Sequence, residues 1–263
     1  MDAYNEFAKV YDELMDETPY DKWFDFLQKK LNSYGVENGL LLDLGCGTGI
    51  MTEKFSRQGY DMIGVDASME MLNQAFDKKT KSKLDILYLC QDMRNFELFG
   101  TVKAVYSVCD VVNYLLADED LEKVFRLVNN YLDPDGIFIF DFNTVYKYQT
   151  IIGDTVIAEN RKDCSFIWEN SYDKKSEINE YVLSLFIKEK EGNTYHKYME
   201  EHKQKGYTLE TMKTSIKKAG MEFLEAMDAD TLDSPSETSE RIYCIVREKE
   251  VKGKVRKISG KGI

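Results

Sequence analysis

A cluster of glycines ends a run of leucines in Leu41-Leu42-Asp43-Leu44-Gly45-Cys46-Gly47-Thr48-Gly49. The apolar run predicts a buried strand. Gly45 and Gly47 permit a tight turn and a close approach of backbone to ligand where a helix opens. Asp66 ends the next apolar run, Met62-Ile63-Gly64-Val65, about 20 residues further on. In a doubly wound sheet that spacing sets a carboxylate beside the first turn, within reach of ribose hydroxyls. Asp92 follows a third apolar run, in Cys90-Gln91-Asp92-Met93. All three sites then fall at strand carboxyl ends, where such sheets bind ligands.

The ligand is narrowed by charge. A dinucleotide fingerprint counted from Gly45 needs a third glycine at position 50, which is Ile50. Asp43 would repel a pyrophosphate and attract an ammonium. S-adenosylmethionine, with its amino-acid portion, is therefore favoured over NAD. Ala67 and Met71, next to Asp66, join the candidate cofactor contacts. After the fourth apolar run comes Cys109-Asp110-Val111-Val112-Asn113-Tyr114. This turn also falls at a strand carboxyl end, with Cys109 a candidate cofactor contact and Asp110, Asn113 and Tyr114 candidate substrate contacts. An acidic neighbour opposes a nucleophilic Cys109 thiolate. Of the two histidines, His196 and His202, His202 is the candidate general base, and Tyr207 joins it as a candidate catalytic residue.

These residues need elements to carry them. Strands are predicted at 40–44, 62–65, 84–89, 102–108 and 137–140, with helices near 50–58, 68–78 and 118–132. Strands that are apolar without alternation, separated by helices, predict a parallel sheet covered on both faces. Ahead of them, apolar spacing in residues 1–36 predicts two helices, with the eight acids up to Asp25 forming a solvated face. Aromatic and β-branched residues at 165–172 and 181–189, with turns at 173–176 and 191–193, predict an inserted antiparallel sheet in 150–207. Thr208 is a predicted N-cap, Gly220 the helix stop, and strands follow at 221–227 and 241–247.

Residues 41–49 resemble motif I of class I S-adenosylmethionine-dependent methyltransferases. Gly64-Val65-Asp66-Ala67-Ser68 resembles the next motif, which implies that Asp66 binds ribose. Gln91-Asp92-Met93 resembles the adenine-binding motif, implying that Asp92 meets the adenine amino group and Met93 packs on the ring. Tyr4-Asn5-Glu6-Phe7-Ala8-Lys9-Val10-Tyr11-Asp12-Glu13-Leu14-Met15 is similar to the opening of the small bacterial YqeM-like methyltransferases. In those the N-terminal helices close over the cofactor, which implies lid roles for Tyr11 and Trp23. Glu201-His202-Lys203-Gln204-Lys205-Gly206-Tyr207 resembles a His-x-x-Arg-x-Tyr segment, with Lys205 replacing the arginine. Lysine lacks the bidentate fork of arginine. The inserted sheet resembles that of sugar N-methyltransferases. The expected fold is thus a Rossmann-like seven-stranded methyltransferase sheet with an inserted antiparallel sheet. Residues 1–149 and 208–250 would form the cofactor-binding core, 1–36 its helical lid, 150–207 the insertion and 251–263 a disordered basic tail.

Composition agrees with this class and removes others. The 263 residues carry a formal charge of −12 with 43% hydrophobic and 13% aromatic content, too much apolar mass for a disordered acidic chain. An acidic surface disfavours DNA or RNA as partner and suits a small-molecule acceptor. No apolar run approaches the roughly 18 residues of a membrane span. Five scattered cysteines without a CxxC give no zinc spacing and suit reduced thiols in the cytoplasm. No metal is called for, and the assembly is expected to be a monomer or homodimer. An NAD(P)-binding oxidoreductase and a non-catalytic S-adenosylmethionine-binding module are the alternatives.

Overall fold

The computed structural model describes residues 7–16, 18–189 and 194–249. The turn expected at 191–193 and the tail 251–263 lie outside them.

Five parallel strands form the centre: β1 (Leu40–Leu44), β2 (Asp61–Asp66), β3 (Ile86–Cys90), β4 (Val102–Ser107) and β5 (Leu132–Asn143). Two late strands, β10 (Glu222–Asp228) and β11 (Arg241–Arg247), complete a seven-stranded sheet in the order β10-β11-β5-β4-β1-β2-β3. β11 runs antiparallel to both its neighbours. The chain leaves β1 toward β2 and later returns to β4 on the other side. That reversal opens the crevice in which doubly wound sheets hold ligands.

Alternation along each strand explains why both faces are covered. Phe138, Phe140 and Phe142 of β5 join one core with Leu42 and Leu44 of β1 and Cys244 of β11. Ile137, Ile139, Leu41 and Tyr243 point the other way, into a second core. The first core is closed by α5 (Asp118–Tyr131) and α6 (Leu209–Lys218). Leu121, Val124, Phe125 and Val128 are buried on α5, spaced along one face of the helix expected near 118–132. Thr208 caps α6, its side chain accepting from Thr211 N. The second core is closed by α2 (Tyr20–Ser33), α3 (Ile50–Arg57) and α4 (Met69–Ser82).

Between β5 and α6 lies the second sheet, a four-stranded meander of β6 (Val156–Asn160), β7 (Cys164–Asp173), β8 (Ile178–Lys188) and β9 (Tyr195–Lys205). The aromatic and β-branched pattern marks β7 and β8 only. β6 is short and mostly exposed, and β9 is largely polar, so neither carries that pattern.

Among the described residues the N-terminal acids Glu13, Asp16, Asp21 and Asp25 are exposed, as a solvated face requires, yet Asp12, Asp16 and Asp21 also form ion pairs. On α1 (Phe7–Leu14), Asp12 accepts from Thr48 Oγ1 at 2.6 Å and pairs with Lys78 of α4. Asp16 pairs with Arg161 of the β6–β7 turn at 2.7 Å, and Asp21 with Lys54 of α3. These acids bind α1 and α2 to the site and to the insertion.

Candidate active site

The glycine turn is tied to β2 before it reaches α3. Gly45 N and Cys46 N both donate to Val65 O, at 2.7 and 3.0 Å. Asp66 holds the turn from the opposite side. Its Oδ2 accepts from Gly47 N and its Oδ1 from Ser68 N, both at 2.8 Å. Gly45 has φ +85°, and a Cβ there would lie 2.4 Å from Val111 Cγ1. Gly45→Ala is therefore expected to cost about 1–3 kcal/mol through backbone strain and to push Val111 into the ligand space. Melting and cofactor calorimetry test this against Gly59→Ala, a site with φ +93° and open space. Both variants should lose stability, and only the first should lose more than tenfold in cofactor affinity.

A cavity of about 420 Å³ opens over this turn. Of the sequence candidates, Tyr11, Asp43, Gly45, Cys46, Gly47, Asp66, Ala67, Met71, Asp92, Met93, Cys109 and Tyr114 line it. Asp43 is buried and accepts from Thr52 Oγ1 at 2.6 Å. Burial pushes its carboxyl up to about 7. Burial raises Asp66 as well, against the amides that donate to it. Asp92 goes the other way, because the Arg94 guanidinium beside it holds its carboxyl low. Burial pushes the Cys109 thiol up to about 12, which removes it as a nucleophile at neutral pH.

Other candidates sit elsewhere. Trp23 lies outside the cavity lining, with its ring over the Arg241 guanidinium at 5.5 Å. Tyr20, at the start of the same helix, lines the cavity instead. Asn113 is buried in a structural clasp, donating to Asn143 O and Lys205 O. Asp110 pairs with Arg241 at 2.6 Å and accepts from Gln204 Nε2 at 2.7 Å. Tyr207 is buried in the core, off the cavity lining, and donates to Leu115 O. His202 is buried, off the cavity lining, and reaches it through Tyr114. Lys205 pairs with Asp118 at 2.8 Å. His196 is exposed and pairs with Glu189. Sequence reasoning missed Tyr20, Glu70, Val111 and Leu115 in the lining, and Arg241 and Asp141 beneath it. Tyr20 follows Pro19 at a helix start, a signal that was legible.

The chemistry of the lining fits S-adenosylmethionine. Two desolvated carboxylates, Asp43 and Asp66, face a cavity whose lining cation, Arg94, is paired with Asp92. A ligand bearing an ammonium, a sulfonium and a ribose diol relieves that unbalanced charge, whereas a pyrophosphate adds to it. Among the described residues no group of three His, Cys, Asp or Glu is arranged to hold a metal ion, and no helix is long and apolar enough to cross a membrane.

Comparisons agree. Residues 41–136 match the family model described as a methyltransferase domain. YqeM of Bacillus subtilis (strain 168), named as a methyltransferase, is 36% identical over 244 residues, 91% of this chain and 95% of that one. The crystal structure of an S-adenosylmethionine-dependent methyltransferase from Clostridium acetobutylicum ATCC 824 superposes with a TM-score of 0.84 at 29% identity, covering 94% of this chain and 99% of that one. The dTDP-3-amino-3,4,6-trideoxy-alpha-D-glucopyranose N,N-dimethyltransferase of Streptomyces venezuelae is 33% identical over 106 residues, 40% of this chain and 43% of its own length. Fold and site together define an S-adenosylmethionine-dependent methyltransferase. The chain belongs to the YqeM-like family of these enzymes.

Proposed function

We propose that the enzyme methylates a small amine by in-line displacement. The observation that carries this reading is the acid-lined cavity over the glycine turn, lined also by Cys109, Val111 and Tyr114. Asp66 accepts from the ribose hydroxyls, Asp92 and Met93 define the adenine pocket, and Asp43 offsets the cofactor's ammonium. Ala67 and Met71 pack beside the ribose acid. Tyr11 and Tyr20 cover the cofactor from the N-terminal helices. Tyr11 Oη lies 4.0 Å from Cys109 Sγ, so the lid spans the cavity. Bound S-adenosylmethionine supplies a methyl group already activated on sulfur. The protein's work is then to align the acceptor and exclude water.

In this reading residues 1–149 and 208–250 form the cofactor-binding core and 150–207 the acceptor-side unit. The formal charge of −12 favours a cationic or neutral small acceptor over a nucleic acid. The Streptomyces relative, named for methylating an amino sugar, supports nitrogen as the methylated atom.

Asp66→Ala tests the cofactor geometry. It removes a charged acceptor worth about 1.5–3 kcal/mol, so calorimetry should show S-adenosylmethionine affinity falling by about ten- to a hundredfold. Unchanged affinity sinks the assignment. Binding by the wild type without labelled methyl transfer to any amine would favour a non-catalytic module.

A further inference from the structure

The insertion brings a buried polar chain to the cofactor cavity. Tyr114 lies in the 3₁₀ turn after β4 (Val111–Tyr114) and lines the cavity. Its hydroxyl is 2.9 Å from Tyr181 Oη on β8 and 3.4 Å from His202 Nδ1 on β9. On the far side of the imidazole, His202 Nε2 is 3.3 Å from Glu200 Oε2. The Tyr181 ring stacks on the imidazole with centroids 4.7 Å apart. The side chains of His202 and Glu200 are 1% and 6% exposed. A carboxylate in such a position is costly unless hydrogen-bonded, and apolar residues would fill the space more cheaply.

With Glu200 ionised, the contacts select one tautomer. An ionised Glu200 only accepts, so Nε2 must donate to it. Nδ1 is then the acceptor for the Tyr114 hydroxyl. A nucleophilic side chain, an imidazole and an orienting carboxylate in this order make a general-base arrangement, here with tyrosine at the cavity end.

We propose that Tyr114 takes the proton released by the methyl acceptor and passes its own to His202, which Glu200 orients. The proposal rests on the reading of a small amine acceptor. The acceptor nitrogen's lone pair forms the bond to the methyl carbon. The carbon–sulfur bond breaks with its electron pair left on S-adenosylhomocysteine. The N–H proton passes to Tyr114 Oη as the Tyr114 hydroxyl proton moves to Nδ1. The positive charge lost from sulfur reappears as an imidazolium facing Glu200, so charge balances.

This device also selects the acceptor. An imidazole is a weaker base than an alkylamine, so the loss of the sulfonium must drive this proton transfer, and it is far too weak for an aliphatic hydroxyl. A tertiary amine or a thioether has no proton to release. Within the amine reading, the acceptor is therefore a primary or secondary amine. Among the described residues, the titratable groups facing His202 are Glu200 on its own strand, Tyr181 on β8 and Tyr114 on the 3₁₀ turn. Asp110 lies beyond them, bound by Arg241 and Gln204.

Two readouts test the relay. The chain has two histidines, so His202→Asn assigns the nitrogen-15 NMR signals of both. At pH 8 the wild-type His202 ring should be the Nε2–H tautomer, and Tyr114→Phe should shift its Nδ1 resonance. An Nδ1–H tautomer overturns the relay. The second readout is transfer of tritiated methyl from S-adenosylmethionine into the small-molecule fraction of a bacterial extract. His202→Asn should bind S-adenosylmethionine within twofold of wild type. At pH 7 its label incorporation should fall by about a hundredfold or more, with the deficit shrinking toward pH 9 as bulk base takes over. Unchanged incorporation, a loss independent of pH, or a loss matched by cofactor affinity overturns the relay. A wild-type product labelled on oxygen or sulfur would instead sink the amine reading, and the NMR result would still judge the geometry.

Discussion

Asp43→Asn should stabilise the cofactor-free protein at pH 8 and weaken its hold on S-adenosylmethionine. The Asp43 carboxyl is buried beside the glycine turn and pushed by burial from an ordinary 3.8 to about 7. Its folded value lies above its unfolded one. The folded state therefore binds more protons between about pH 4 and 7, and stability falls as pH rises through that window. Above it the full penalty applies, about 4 kcal/mol for a difference of this size. Asparagine keeps an oxygen for the Thr52 hydroxyl, which donates at 2.6 Å, and carries no charge. Urea unfolding should show the variant more stable by about 2–4 kcal/mol at pH 8, with the gap closing toward pH 4. Cofactor affinity should fall, and in the wild type it should rise between pH 6 and 8 as the carboxylate forms. Equal stabilities at both pH values would contradict a buried ionised Asp43. The residue thus trades stability for binding, a pattern common at sites poised for a charged ligand.

Arg241→Ala should have the opposite sign and an equal or larger size. Arg241 NH1 donates to Asp141 at 2.9 Å and NH2 to Asp110 at 2.6 Å. Asp141 is fully buried and also accepts from Cys109 N at 3.1 Å and Asp110 N at 2.8 Å. Those amides belong to two consecutive non-glycine residues with φ +70° and +52°, a conformation that costs about 1–3 kcal/mol at each residue. The carboxylate holds the strained turn, and the guanidinium neutralises the carboxylate. Removing the cation leaves a buried charge uncompensated, at a cost of about 3–5 kcal/mol. Burial already raises Asp141 while Arg241 lowers it, so losing Arg241 moves its carboxyl higher still. By the same sign rule, the variant's stability should fall as pH rises. Unfolding at pH 5 and pH 8 checks this: the deficit should be larger at pH 8, and cofactor affinity should fall as the Cys109 turn relaxes. A deficit below about 1 kcal/mol at both pH values would show that the pair is neutral to stability.

Much of the cofactor site was legible because it is local. Gly45, Gly47 and Gly49 adopt positive φ in a strand-to-helix turn, a conformation that glycine tolerates better than any other residue. Asp43, Asp66 and Asp92 lie at or just after strands that their own apolar runs announce, so the order of the chain brings them to one edge. The α5 stripe was legible for the same reason, since helical period and burial coincide.

The acceptor side was not legible in the same way. Trp23 and Tyr20 share one helix, and only the rotation of α2 against α3 and β11 decides that Tyr20 meets the cavity while Trp23 covers Arg241. β9 reads Tyr-His-Lys-Tyr-Met-Glu-Glu-His-Lys-Gln-Lys, with no apolar alternation to mark a face. Its register against β8, which pairs His202 with Tyr181 and Glu200 with Leu183, is what turns Glu200, His202 and Gln204 inward and leaves Glu201 and Lys203 exposed. A slip of one residue would invert that set. Sequence alone therefore determined the class of enzyme and its cofactor turn, because those depend on backbone conformation and contacts near in the chain. Tertiary structure alone decided that His202 stands behind Tyr114 and that Arg241 underlies the Cys109 turn. Both depend on strand pairing and burial between segments about 90 to 130 residues apart, and no local pattern encodes such contacts.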